Sequence, residues 1–263
     1  MATVAFIGTG NMGGALARAA ARSGRASRLL LANRSREKLQ RLAEELQAEV
    51  VDNRRAAAEA DYLFLAVKPQ QLDGMLAGIM DVLAARERRC VILSMIAGRE
   101  LYALEKVFGV DTPVIRLMPN IPVAVGGGIT LFSPSAAVTE EEKTFFKELL
   151  CCSGLVTELE EPLLDAATGV AGCGTAYAAM FTEALADGAV ACGLPRAQAL
   201  RFAAQMLAGT AQLLLDSGEH PGALKDRVCS PGGSTIQGVR ALEEAGFRAA
   251  VMNAVIAAYE KEF

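Results

Sequence analysis

The segment MATVAFIGTGNMGG, residues 1–14, sets the tightest constraint on what this chain can fold into. An apolar run at 4–7 passes directly into Gly8, Gly10 and Gly13 in G-x-G-x-x-G register, and a helical pattern follows over 12–23. In a strand–turn–helix of this kind each glycine has its own task. Gly8 permits the tight turn, Gly10 lets a pyrophosphate approach the backbone, and Gly13 allows the helix to pack closely on the strand. The helix start, with Asn11 and Met12, offers unpaired N–H groups to phosphate. A bare glycine triplet also suits a purely structural turn. The strand before it and the alternation behind it favour a dinucleotide site.

That alternation runs through residue 158. Candidate strands fall at 3–7, 28–32, 50–51, 61–67, 90–95, 112–118 and 128–132, with helical patterns at 12–23, 35–46, 70–84 and 99–108. VAFI and YLFLAV are nearly continuous apolar runs, as parallel strands covered on both faces require. A further helix is expected from Thr139, where Glu142 stands three residues on in a capping-box arrangement. The pattern predicts an open α/β sheet over 1–158. From 159 to 263 strand signals stop and helices follow, with a short one at 221–228 and others near 235–244 and 247–260.

Composition narrows the chemistry. Alanine occurs 48 times, 24 of them in the last 105 residues, which predicts closely packed helices there. Several of those helices are apolar on more than one face. They are either buried within a large domain or packed against a second subunit. A single histidine, His220, and six scattered cysteines assemble no metal site by spacing, and a serine-type triad has only that histidine to use. A net charge of −4 supplies no general attraction to nucleic acid. The start lacks a basic segment before its apolar run, and the longest charge-free stretch is broken by prolines and glycines. The expectation is therefore a cytosolic protein without membrane spans that borrows its chemistry from a cofactor.

The second strand ends in LLLANRSREK. An NAD site usually places Asp or Glu there to bind the ribose hydroxyls. Here Asn33, Arg34 and Ser35 supply donors and positive charge, so a ribose 2′-phosphate is favoured and NADPH is the expected cofactor, with NADH use also admitted. The alternative is that the arginines only solvate a helix start. The fourth strand ends in AVKP, placing Val67, Lys68 and Pro69 along the crevice at the strand carboxyl ends. Asn53, in the preceding loop, can bind adenosine or ribose groups.

The most unusual local chemistry is HPGALKDRVCSPGGSTIQG, residues 220–238. Ser230, Gly232, Gly233, Ser234 and Thr235 lead straight into a helix. Two glycines, hydroxyl groups and free helical N–H groups suit a carboxylate, and ordinary Ser/Thr capping is the competing reading. His220 is read as solvent-facing or loop-fixing rather than as a proton relay. In AGCGTAYAAMFTEALADGA, residues 171–189, Glu183 and Asp187 share a helix face without metal partners.

Together the glycine turn, VKPQ, RLMPN (116–120), AGCGTAYAAM (171–180) and HPGALKDRVCSPGGSTIQGVRALEEAGF (220–247) closely resemble pyrroline-5-carboxylate reductase, from residue 3 almost to 259. The resemblance implies an amino-terminal Rossmann-type dinucleotide-binding domain, 1–158, followed by an all-α dimerisation and substrate-binding domain, 159–263. It implies hydride transfer from NADPH to the C=N carbon of 1-pyrroline-5-carboxylate, giving L-proline. It also implies homodimers that in several members assemble as decamers. Position by position, Gly8, Gly10, Met12 and Gly13 match the nucleotide turn, Asn33, Arg34 and Ser35 the 2′-phosphate region, and Asn53 an asparagine near the cofactor. Val67, Lys68 and Pro69 match the cofactor wall, and Met118, Pro119 and Asn120 the nicotinamide region. Ser230, Gly232, Gly233, Ser234 and Thr235 match the loop gripping the substrate carboxylate, with Thr235 also reaching the ring nitrogen as the catalytic contact. Two departures stand out: Glu219 is displaced by one position from a glutamate of some members, and GCGTAY replaces the more usual GSGPAY. A β-hydroxyacid dehydrogenase or related imine reductase is the alternative, but the stretch GCGTAYAAMFTEA lacks the acid/base lysine that a hydroxyacid dehydrogenase needs.

Overall fold

The structure is a computed structural model and describes residues 2–262. Strand β1 (Ala2–Ile7) has β2 (Ala26–Ala32) and the short β3 (Glu49–Val50) on one side. On the other side lie β4 (Tyr62–Leu65), β5 (Val91–Ser94) and β6 (Val114–Pro119), all parallel. Strand β7 (Gly128–Pro134) joins β6 antiparallel and β8 (Gly154–Glu158) joins β7 parallel, giving the order β3-β2-β1-β4-β5-β6-β7-β8. The chain runs outward from β1 and then returns to β4, so the topological switch lies between β1 and β4, where open sheets of this type bind ligands.

Alternate side chains of β1 explain its unbroken apolar run. Val4 and Phe6 enter one buried layer with Leu16 of α1 (Asn11–Ser23) and Leu39 of α2 (Arg36–Leu46). Ala5 and Ile7 enter the opposite layer with Ala56 of α3 (Asn53–Glu59), Leu72 of α4 (Pro69–Ala77) and Ile79. Phe6 stacks on Phe64 of β4 with ring centroids 4.1 Å apart. Each fully buried large side chain contributes about 1.5–3 kcal/mol, and β1 fills both layers.

Three departures from the sequence pattern have local causes. The helix expected over 70–84 breaks at Gly78, leaving α4 and α5 (Met80–Ala84), and the break turns Ile79 fully into the core. Helix α3 emerges from an alanine-rich run without polar periodicity and starts on the Asp52 carboxylate, which accepts from Arg55 N–H at 2.7 Å. Strand β8 lies at the sheet edge, with most of its residues partly exposed. Helix α6 (Leu101–Phe108) lies within the expected 99–108, and α7 (Glu140–Leu149) carries the expected capping box. There Thr139 Oγ1 accepts from Glu142 N–H at 3.2 Å and Glu142 Oε2 accepts from Thr139 N–H at 2.8 Å.

Contacts divide the chain after Gly172. The last strand ends at Glu158, yet α8 (Glu161–Ala171) remains with the sheet unit. The reason is Arg116 of β6, whose side chain is 3% exposed and donates at 3.0 Å to both Glu161 and Asp165. Glu161 Oε1 also accepts from Leu101 N–H at 2.6 Å. Removing one member of such a buried set costs about 3–5 kcal/mol. The change from strands to helices at 158 and the division of contacts at 172 are thus different boundaries.

The second unit, Cys173–Lys261, is built from α9 (Gly174–Ala191), α10 (Arg196–Ser217), α11 (Pro221–Val228), α12 (Ser234–Glu244) and α13 (Phe247–Glu262). Tyr177 of α9 donates to the Ala254 carbonyl of α13 at 3.0 Å, and the rings of Phe181 and Phe247 lie 5.8 Å apart. Ala186, Ala199 and Ala203 are buried, while Met180 (68%), Phe202 (57%), Leu215 (79%) and Met252 (59%) are exposed. Among the described residues no helix is long and apolar enough to cross a membrane.

Candidate functional site

The glycine turn is held by contact rather than by propensity alone. A Cβ on Gly8, whose φ is +97°, would stand 2.5 Å from the Ala66 carbonyl oxygen, and one on Gly13 would stand 2.2 Å from the Gly8 carbonyl oxygen. Gly10 has no protein atom within 4 Å of that position. The missing side chain at Gly10 therefore opens space that the fold itself does not use. It faces the start of α1, where no side chain caps the first N–H groups.

Around this turn lies a cavity of about 660 Å³ bordered by Gly8, Gly10, Asn33, Arg34, Asn53, Val67 and Lys68. Asn33 Nδ2 donates to Thr9 Oγ1 at 3.0 Å, and its Oδ1 accepts from Arg34 N–H at 2.8 Å, which fixes the loop after β2. The Arg34 guanidinium is exposed and makes no hydrogen bond or ion pair among the described residues. Ser35 stands at the N-cap of α2 with its hydroxyl uncommitted. A cation and a free hydroxyl at a helix start are an arrangement suited to phosphate. Gln70, Gln71, Gly74 and Met75 of α4 also line the cavity. Gln70 closes the VKPQ motif, and the only sequence signal for the other three is the helix expected after the strand end at Val67. Pro69 is the first residue of α4, and Lys68 precedes it as N-cap. A second cavity of about 320 Å³, bordered by Arg86, Cys90 and Asp111, touches none of the expected site residues.

Met118 and Pro119 end β6, half-buried, and do not border the larger cavity. Asn120, 7% exposed, works as a brace. Its Nδ2 donates to the Ala171 carbonyl at 2.8 Å, and its Oδ1 accepts from Ile129 N–H at 2.8 Å. These bonds tie the end of β6 to β7 and to the last turn of α8.

In the helical unit, Gly233 N–H donates to the Ser230 carbonyl at 3.0 Å across Pro231 and Gly232, the latter at φ +71°. Proline followed by a positive-φ glycine is the signature of a type II turn. Gly233 is the N-cap of α12 and no side chain caps that helix, so ordinary Ser/Thr capping is not what these hydroxyls do. Ser234 and Thr235 are exposed, and neither hydroxyl makes a hydrogen bond among the described residues. The first N–H groups of α12 thus lie beside two free hydroxyls, an arrangement suited to a carboxylate. His220 caps α11, its Nδ1 accepting from Gly222 N–H at 3.0 Å. Glu219 is ion-paired with Arg227 at 3.2 Å.

Residues 3–98 match the family model described as NADP oxidoreductase, coenzyme F420-dependent, and residues 161–262 match that described as pyrroline-5-carboxylate reductase dimerisation. The sheet order and the groove at its switch point are those of a dinucleotide-binding fold, and with its relatives the chain is an NAD(P)H-dependent oxidoreductase. The chain is 40% identical to the pyrroline-5-carboxylate reductase of Escherichia coli K12, covering 98% of this chain and 96% of the relative. It belongs to the pyrroline-5-carboxylate reductase family. Among solved structures, the Coxiella burnetii pyrroline-5-carboxylate reductase superposes with a TM-score of 0.91 at 29% identity, over 99% of this chain and 97% of that one. The Plasmodium falciparum pyrroline carboxylate reductase with NADP bound gives 0.87 at 30% identity, over 99% and 97%.

Proposed function

We infer that this chain reduces the C=N bond of 1-pyrroline-5-carboxylate to give L-proline, the last step of proline biosynthesis, with NADPH as the preferred reductant and NADH as a poorer one. The observation that carries the reading is the uncapped start of α12, where free N–H groups meet the uncommitted hydroxyls of Ser234 and Thr235. The exposed Arg34 beside the Ser35 hydroxyl supports the preference for a 2′-phosphate.

The groove residues fit a dinucleotide: Gly10 leaves room that no protein atom fills, and Asn33, Asn53, Val67 and Lys68 border that room. When bound, NADPH supplies the hydride that reduces C5 of the imine. The chain's own part is to place and desolvate. Gly8, Gly10, Asn11, Met12 and Gly13 present the α1 N–H groups to the pyrophosphate, Arg34 and Ser35 hold the 2′-phosphate, and Pro69, Met118, Pro119 and Asn120 shape the wall and the nicotinamide end. Ser230, Gly232, Gly233, Ser234 and Thr235 grip the substrate carboxylate, and the Thr235 hydroxyl contacts the ring nitrogen. A protonated C=N is already electrophilic, so orientation supplies most of what the protein must add.

In this reading residues 1–158 are the NADP-binding domain and 159–263 the dimerisation and substrate-binding domain of a cytosolic homodimer, with assembly of five dimers as the larger form. The exposed Met180, Phe202, Leu215 and Met252 support pairing of helical units, because a single copy leaves them in water. The test is NADPH oxidation by the purified chain with 1-pyrroline-5-carboxylate, with proline measured alongside. Equimolar proline is expected, and absence of turnover with both reduced nucleotides overturns the reading.

A further inference from the structure

Two adjacent cysteines take no part in the reaction described above. Cys151 and Cys152 open the short 3-10 turn Cys151–Ser153 between α7 and β8, with their sulfurs 3.8 Å apart. Cys151 is exposed and Cys152 half-buried, and neither is in a disulfide. The backbone that carries them is pinned on both sides. Ser153 is fully buried and donates from both its N–H, at 2.8 Å, and its hydroxyl, at 2.7 Å, to the Leu150 carbonyl. Arg22 of α1 donates to the Cys152 carbonyl at 3.2 Å. Gly154 follows at φ +118°, where a Cβ would meet the Gly128 carbonyl oxygen at 2.2 Å. These contacts fix the backbone that carries the two neighbouring thiols.

A soft atom bonded to both sulfurs at about 2.3 Å spans that separation at a roughly tetrahedral angle. Among the described residues no group of three or more His, Cys, Asp or Glu side chains could hold a metal ion, so the site offers two thiols and no third ligand. Two thiols match the valence of a trivalent arsenic that keeps one organic substituent. Partial desolvation and the neighbouring Cys152 thiol raise the Cys151 thiol above its ordinary range.

We propose that Cys151 and Cys152 form a dithiol capture site for trivalent organoarsenicals, R–As(OH)₂. Two As–O bonds break and two As–S bonds form. Each thiol proton leaves with a hydroxide as water, and arsenic remains trivalent throughout. The ring so closed exchanges slowly with monothiols, which must break two bonds, and readily with a competing dithiol.

The probe is phenylarsine oxide, added in equimolar amount to the reduced full-length protein and followed by intact-mass spectrometry. One adduct per chain is expected, surviving a large excess of 2-mercaptoethanol and removed by 2,3-dimercaptopropanol. Cys151→Ser and Cys152→Ser should each lose the monothiol-resistant adduct, and Cys192→Ser, which removes an exposed thiol elsewhere, should keep it. Cys151→Ser changes an exposed side chain, and unchanged NADPH turnover certifies its fold. Retention of the adduct in Cys151→Ser, or its absence from the wild-type chain, overturns the proposal.

Discussion

Gly13 and Gly8 press the first helix against the first strand: a Cβ on Gly13 would stand 2.2 Å from the Gly8 carbonyl oxygen. A Cβ on Gly10, between them, would meet nothing within 4 Å. The two glycines therefore separate by experiment. Gly13→Ala should lower thermal stability without ligand, by about 1–3 kcal/mol as for overpacked cores. Gly10→Ala should unfold at the wild-type temperature and lose only the upward shift that NADPH produces. Equal losses without ligand in both variants would make Gly10 a structural residue.

The Arg34 guanidinium has no hydrogen-bond or ion-pair partner among the described residues. A charge-assisted bond to phosphate is worth about 1.5–3 kcal/mol, so Arg34→Ala should weaken NADPH binding at least about tenfold. NADH, lacking the 2′-phosphate, should change little. Fluorescence titration with both nucleotides checks this, and parallel losses would remove Arg34 from the 2′-phosphate site.

Thr235 presents a free hydroxyl on the first turn of α12. Thr235→Ala should lower kcat/KM for the imine by about tenfold or more, the effect of removing one well-placed hydrogen bond. The dissociation constant for NADPH should stay near the wild-type value. Unchanged steady-state kinetics would free Thr235 of any part in the reaction.

Burial alone would raise the Glu142 carboxyl, but the Arg89 guanidinium and the Thr139 N–H hold it below the ordinary glutamate range. A group depressed on folding contributes stability that is present above its unfolded pKa, about 4.3, and is lost as pH falls through the folded value. Glu142→Gln should therefore cost about 1 kcal/mol at pH 7, and the difference from wild type should shrink in acid below the ordinary glutamate value. Urea unfolding across pH measures it, and a pH-independent difference would contradict the ion pair as its source.

The legible parts of this fold are those written by local sterics. The turn at Gly8–Gly10–Gly13, the capping box at Thr139 and the α11 segment 221–228 each depend on residues a few positions apart. The grouping of Arg34, Asn53 and Lys68 followed from one rule, that parallel strands end at a common crevice. Strand β8 was not legible, because an edge strand with partly exposed residues shows no apolar run and pairs with a partner already placed by β6. The brace at Asn120 was hidden for another reason: its partners lie 9 and 51 residues away. The sequence motif only proposes Asn120 as a site residue, while its packing shows the bonds that hold it.

Transfer of isotope tests the central claim most directly. With 1-pyrroline-5-carboxylate and NADPH carrying deuterium at the transferred position of nicotinamide C4, the chain should produce L-proline with one deuterium at C5, in amount equal to the nucleotide oxidised. Proline without deuterium at C5, or nucleotide oxidation without proline, would contradict direct hydride transfer to the imine carbon.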